Sequence, residues 1–415
     1  MCLPPLMIVP VSYYSTNPKY VKKMRENREK WPNYEKQSKD YFEPLENGFL
    51  LGLIDVKQQD VDNLPIAIKR LITLFDNDPK SLLEEENHEL IADVTNLVGT
   101  LDKPTVVLLF KKLVNMPQTK PLDFLRTTMD QFVSETLRDH RKFDNNTLGT
   151  YLDMAIQIME ANSSVGKKIN FLQLLTRVCF HNVGNLEKEN FKKFLYLLNI
   201  KRSSFNIEYQ SQLEESLKTN LSTMNSDEIG LACAALFKTK TAIKDIEIIE
   251  LIVKHFDPMK AFPISISAVF KMLRLSKDYA KKSPDNLREF ILKCIESSDK
   301  FPTMTLAHLC LLSSYYLVGS EPLLSKSLER VCNDKTTRLK DVISIMRTCS
   351  EFNFAPTKQQ FETLTDNLVN TAQLRQHPDK VSALLSLFAS FHHYPETLLK
   401  YFYGPSYEKA IKSNS

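Results

Sequence analysis

Residues 342–356 read Val-Ile-Ser-Ile-Met-Arg-Thr-Cys-Ser-Glu-Phe-Asn-Phe-Ala-Pro, and residues 381–395 read Val-Ser-Ala-Leu-Leu-Ser-Leu-Phe-Ala-Ser-Phe-His-His-Tyr-Pro. The two stretches lie 39 residues apart and share an order: an apolar run, an aromatic, then a proline, with Phe352 matching Phe391 and Pro356 matching Pro395. In the second, apolar residues recur at the i, i+3, i+4 spacing of one buried helix face. Proline is tolerated in the first turn of a helix and disrupts its interior, so Pro356 and Pro395 are expected to open a second helix in each unit.

Working outward from this pair, the same start of an apolar helix recurs at Ile66, Val106, Leu148, Phe191, Ile229, Ile266, Leu306, Val342 and Val381. Successive differences are 40, 42, 43, 38, 37, 40, 36 and 39 residues. After each start comes a polar break and a second amphipathic helix. Helix pairs of this length that bury their faces on their neighbours make an α-solenoid. The expected fold is therefore all-α, a solenoid of degenerate two-helix repeats of about 36–43 residues. A helical bundle is the competing arrangement.

Composition agrees. Nine glycines in 415 residues is about 2%, against roughly 7% in average proteins. Primed hairpin turns and phosphate-cradling loops need glycine, because only it enters φ > 0 without steric cost. That weighs against a β-sandwich, a dinucleotide-binding fold or a P-loop ATPase. Lys plus Arg number 54 against 50 Asp plus Glu, a net charge of +4, so no gross charge announces a nucleic-acid binder. The seven cysteines, Cys2, Cys179, Cys233, Cys294, Cys310, Cys332 and Cys349, are odd in number and widely spaced. They read as small core hydrophobes in a reducing compartment.

Three regions are expected: a lead-in over 1–45, a repeat array over 46–337 and a C-terminal helical module over 338–410. The lead-in holds no acid before Glu26 and four bases by Arg25. That is weakly like a mitochondrial presequence, although Pro4, Pro5 and Pro10 interrupt any amphipathic helix. Lys19 to Lys39, with the lone Trp31, is dense in charge and poor in apolar period. No stretch approaches the ~18 uninterrupted apolar residues of a membrane span. The best run, Leu306 to Val318, is too short and contains His308.

No catalytic motif stands out. Ile66-Ala67-Ile68-Lys69 mimics the lysine strand of protein kinases, but the glycine-rich loop and the catalytic and metal-binding aspartate motifs are missing. Ile66 to Phe75 reads better as an amphipathic helix. The eight histidines are scattered without metal-ligand spacing. His392 and His393 are adjacent, so on a helix they diverge, and a role at a helix end fits them better. The expectation is a protein without enzymatic activity, metal or cofactor.

The basic residues offer more. Five residues beyond the starts lie Lys111, Lys271 and Arg347; nearby are Lys69, Arg70, Lys112, Lys192, Lys193 and Arg274. If the first helices line one face of the solenoid, these nine form an intermittent positive stripe along which phosphates could track. Ordinary solvated helix surfaces account for the same residues, and charge pattern alone favours that plainer reading.

The C-terminal module carries a resemblance. Leu384-Leu385-Ser386-Leu387-Phe388-Ala389, Phe391, His393-Tyr394-Pro395-Glu396, Leu398-Leu399 and Tyr403-Gly404-Pro405-Ser406-Tyr407 resemble a FAST kinase-like module. The specific similarity covers Arg338 to Tyr407; the remainder matches in architecture alone. The resemblance implies a mitochondrial RNA-binding α-solenoid acting in transcript processing, stability or ribosome assembly. Its partners would be single-stranded mitochondrial transcripts and other processing or assembly proteins. Kinase activity is not implied despite the family name. Members usually continue into a second module and a C-terminal RAP domain, whereas this sequence stops soon after Tyr407. The resemblance therefore implies a fragment, or a member lacking the RAP domain. The leading expectation is RNA binding in the mitochondrial matrix, with the cytoplasm as the alternative location. The competing function is a HEAT- or armadillo-like protein scaffold without RNA binding, which the near-neutral charge balance mildly favours.

Overall fold

The structure, a computed structural model, describes residues 64–411, apart from 114–115, 117–118, 139–144, 162–168, 202–208, 277, 279–283, 335–336, 370–373, 375–376, 406 and 409–410. The lead-in over 1–45, with its presequence character and Trp31, lies outside the described residues. Among the described residues there are 18 α-helices and no strand. They are α1 (Ile66–Asn77), α2 (His88–Leu97), α3 (Lys103–Leu113), α4 (Lys120–Arg138), α5 (Asn145–Ala161), α6 (Asn170–His181), α7 (Lys188–Lys201), α8 (Gln210–Leu221) and α9 (Ser226–Lys238). The series continues with α10 (Ile246–His255), α11 (Pro263–Leu275), α12 (Pro284–Glu296), α13 (Thr303–Tyr315), α14 (Glu321–Asn333), α15 (Leu339–Glu351), α16 (Lys358–Val369), α17 (Val381–Ser390) and α18 (Glu396–Phe402).

Packing follows sequence order in two layers. From α3 to α17 every odd helix packs on the next odd helix without a break. Even helices pack on even ones at α2–α4–α6, α8–α10–α12 and α14–α16–α18. This is the all-α, solenoid-like repeat expected from the periodicity. All the described helices belong to one compact unit, Gly48–Ser415, and segment 338–410 packs onto what precedes it through α13–α15 and α14–α15.

The nine start positions all fall in odd helices, seven of them at the fourth helical residue. Eight are buried; Ile66, at the first residue of α1, is 84% exposed. The physical reason is the layer. An odd helix has neighbours on both sides and a partner behind, so its apolar surface is broad. In α9 this yields Ile229, Leu231, Ala232, Cys233, Ala235 and Leu236, all buried. Close approach is taken furthest at Gly230, where an added Cβ would stand 2.3 Å from Ser265 Cβ on α11. Five of the six described cysteines are buried within this core.

Neighbouring repeats also satisfy each other's helix ends, which otherwise leave backbone donors unpaired. Asn170 and Phe171, opening α6, donate their N–H groups to the Asp130 carboxylate on α4 at 3.0 and 2.8 Å. At α9, Asn225 and Glu228 form a reciprocal capping box. Pro395 is the N-cap of α18, and Pro356 stands two residues ahead of α16. Both prolines thus precede the second helix rather than sitting in its first turn.

The shortage of glycine has a structural counterpart. Lys240, Leu317, Asn353 and His392 hold left-handed backbone angles, φ 59°, 54°, 52° and 58°. Each ends an odd helix, and the next residue closes a six-to-one turn: Thr241 to Leu236, Val318 to Ser313, Phe354 to Cys349 and His393 to Phe388, at 2.8–3.1 Å. His392 is therefore a helix-ending residue, while His393 stacks on Phe361 with ring centroids 4.3 Å apart. A left-handed non-glycine residue costs about 1–2 kcal/mol, and Leu317 is 82% exposed, so its side chain returns little. Leu317→Gly is expected to stabilise the fold by about 1 kcal/mol net of glycine's extra unfolded-state entropy. A urea midpoint that stays put or falls would contradict this.

Candidate functional site

Odd helices carry all nine basic residues, and their surroundings divide the chain in two. In its N-terminal part three of the cations are paired with acids. Lys112 on α3 pairs with Asp76. Lys193 on α7 donates to Asp153 Oδ2 on α5 at 3.0 Å. Lys192 meets Glu228 of α9 at 2.9 Å and Glu189 at 2.7 Å, with the Lys192 and Glu228 side chains only 8% and 9% exposed. These three lysines join helix to helix. Lys69 is partly exposed and Arg70 exposed on α1, and the Lys111 side chain lies outside the described residues.

From the end of α9 to the start of α15 basic residues gather on successive odd helices. Lys238 is the last residue of α9. Lys271 and Arg274 are the ninth and twelfth residues of α11, one turn apart on one face. His308 is the sixth residue of α13, Lys340 the second of α15, and Arg338 the N-cap of α15. The charged positions thus step back toward the helix N-terminus by about a turn at each successive helix. With packed helices 8–10 Å apart and a helical turn of 5.4 Å, three such steps trace a diagonal track about 30 Å long.

Geometry fixes its centre. Arg274 Nη2 lies 3.4 Å from His308 Nδ1, while Arg274 Nε is buried without a hydrogen-bond partner. Lys271, Arg274 and His308 are all partly exposed. Tyr316 donates to the Leu273 carbonyl at 2.9 Å, tying the end of α13 to α11 beside Arg274. Arg338 is held in place by Asp341, at 2.6 and 2.9 Å.

Electrostatics agree with the geometry. Burial, then the charges of Lys238, Lys340, Arg274 and Arg338, bring the Lys271 ammonium down to about 7. Burial lowers Arg274 to about 10, opposed by Tyr315. Burial and the charges of Lys271, Arg274, Arg338 and Lys340 hold His308 well below its ordinary value. Among the described residues, no carboxylate is among the charges acting on these three groups. The site therefore has the properties of an anion receptor: converging donors, excess positive charge and a desolvated setting that strengthens each interaction.

Arg347 shares the ninth helical place with Lys111 and Lys271 and is exposed on α15 without an ion pair among the described residues. Lys271 and Arg274, read from the sequence, thus belong to the track; Lys238, His308, Arg338 and Lys340 were not legible there. Chain positions on a diagonal do not recur at a fixed distance from each repeat start, so a search at constant offset passes over them. Among the described residues, no cluster of three His, Cys, Asp or Glu side chains could hold a metal ion, and no helix is long and apolar enough to cross a membrane.

No protein-family model matches this chain, and no curated protein sequence matches it.

Proposed function

We propose that this chain binds single-stranded RNA along the diagonal track on its odd helices. The observation that carries the reading is the group Lys271, Arg274 and His308, on which the acting charges among the described residues are cationic or, at Tyr315, phenolic. Elsewhere on the odd helices, lysines such as Lys192 and Lys193 meet carboxylates within the chain. A polyanion supplies negative charge to Lys271, Arg274 and His308, and its released counterions supply affinity. The resemblance of Arg338 to Tyr407 to a FAST kinase-like module points the same way. It extends the proposal to transcript processing, stability or ribosome assembly in the mitochondrial matrix.

Fluorescence anisotropy with labelled single-stranded RNA at several salt concentrations tests the proposal. With roughly four phosphates engaged, the log–log salt slope is expected near −3. Affinity should fall about 60-fold between 50 and 200 mM salt at that slope. Lys238→Gln together with Lys340→Gln should weaken every sequence about equally and shallow the slope by about 1.4. Absence of binding at low salt would overturn the RNA reading. A protein-binding scaffold, whose association depends far less on salt, would then lead.

A further inference from the structure

The centre of the track differs in kind from its two ends. At the ends stand Lys238, the last residue of α9, and Lys340, the second of α15, each a partly exposed single charge. At the centre three donor-bearing side chains from two helices converge: the Arg274 fork, the His308 ring 3.4 Å from it, and Lys271 one turn back along α11. One donor of that fork, Nε, is buried and unmet.

We propose that Lys271, Arg274 and His308 form a pocket for a phosphate monoester, and that its natural occupant is the terminal phosphate of an RNA strand. The inference rests on the RNA reading for the identity of the occupant, not for the pocket itself. Two features favour a monoester over a phosphodiester within a strand. A monoester presents three unesterified oxygens and about −1.5 to −2 charge at pH 7, whereas a diester presents two oxygens and one charge. Three donor-bearing side chains, without a carboxylate partner among the described residues, match the former. A partly buried cluster also meets a strand end more readily than a continuous backbone, which must enter and leave again.

Two further groups frame the pocket. Tyr315, 44% exposed at the end of α13, acts electrostatically on Arg274 and offers a ring on which a terminal base can stack. Arg338, fixed by Asp341, approaches from α15. Specificity for the strand end thus comes from the pocket, and affinity for the strand from the track.

One RNA sequence is prepared with a 5′-phosphate, with a 3′-phosphate, and with hydroxyls at both ends. Each competes against the same labelled strand on the full chain. One phosphorylated form is expected to bind about tenfold tighter than the hydroxyl form, the yield of one charge-assisted pair; which form does so identifies the end. Arg274→Gln should erase that difference, and Arg274→Lys, which keeps the charge but loses the fork, should restore only part of it. Calorimetry with adenosine 5′-monophosphate and with inorganic phosphate reads the pocket without a strand. If all RNA forms bind alike and neither small anion binds, the pocket is refuted while the RNA reading stands. If a small anion binds in an Arg274-dependent way and no RNA form does, the pocket stands and the RNA reading falls. Binding of nothing refutes both.

Discussion

Lys192→Met is expected to destabilise the protein by about 3–5 kcal/mol, the loss seen when one partner of a buried ion pair is removed. Lys192 reaches from α7 to Glu228 on α9 at 2.9 Å, and both side chains are over nine-tenths buried. Methionine fills a similar volume but leaves Glu228 with Lys188, at 3.2 Å and partly in solvent, as its remaining cationic partner among the described residues. Glu228 also accepts the Asn225 N–H at 3.0 Å in the capping box, so the α9 N-terminus loosens with it. Chemical denaturation at neutral pH reads the loss, and Lys192→Met combined with Glu228→Gln should recover part of it. A loss under about 1 kcal/mol would place this pair with ordinary surface ion pairs instead. Acid gives an independent check. Burial alone would raise the Glu228 carboxyl, but Lys192, the Asn225 N–H and Lys188 together hold it below its ordinary value. A depressed carboxylate stabilises the fold above its unfolded pKa of about 4.3, and that contribution is lost as pH falls below it. The Glu228→Gln variant should lack this component of acid destabilisation.

Lys192 also marks where reading the sequence stops being sufficient. Its repeat, its helix and its place near the start of that helix follow from the spacing of Phe191 and Ile229. Each of those residues is the fourth of an odd helix, buried between layer neighbours. Wide apolar faces repeat at nearly constant distance, so the first helix of every pair is legible. What a charged side chain meets depends on the stagger between helices, which no single repeat encodes. Lys192 and Lys271 look alike as lysines on the first helix of a pair. One lies between Glu189 and Glu228; the other faces Lys238, Arg274, Arg338 and Lys340. The same holds for His308, which reads as an interruption in an apolar run and stands at the centre of the track.

Lys271→Met is expected to do the opposite of Lys192→Met: it should stabilise the fold by about 1–3 kcal/mol at pH 7 while weakening RNA binding. The side chain is partly buried and makes no ion pair among the described residues. The groups acting on it are Lys238 from α9, Arg274 on its own helix, and Arg338 and Lys340 from α15; His308 on α13 shares the same surroundings. Folding therefore works against the charge, and the ammonium falls from its unfolded value of about 10.4 to about 7 in the folded protein. Between those limits the unfolded chain holds more protons than the folded one, so wild-type stability rises with pH across that window. The methionine variant lacks this rise. Its advantage should be greatest at and below pH 7 and shrink toward pH 9. Denaturation curves for both proteins at pH 6, 7, 8 and 9 read this window, which lies below the lowered Arg274 value of about 10. A bound phosphate reverses the balance by supplying the counter-charge, raising the Lys271 ammonium again and taking up protons. RNA affinity of the wild type should accordingly fall as pH rises through the same window, and that of the variant should fall less. If the variant instead loses stability, or its advantage is flat with pH, Lys271 is a packing residue whose stem matters more than its charge, and the track loses its central member.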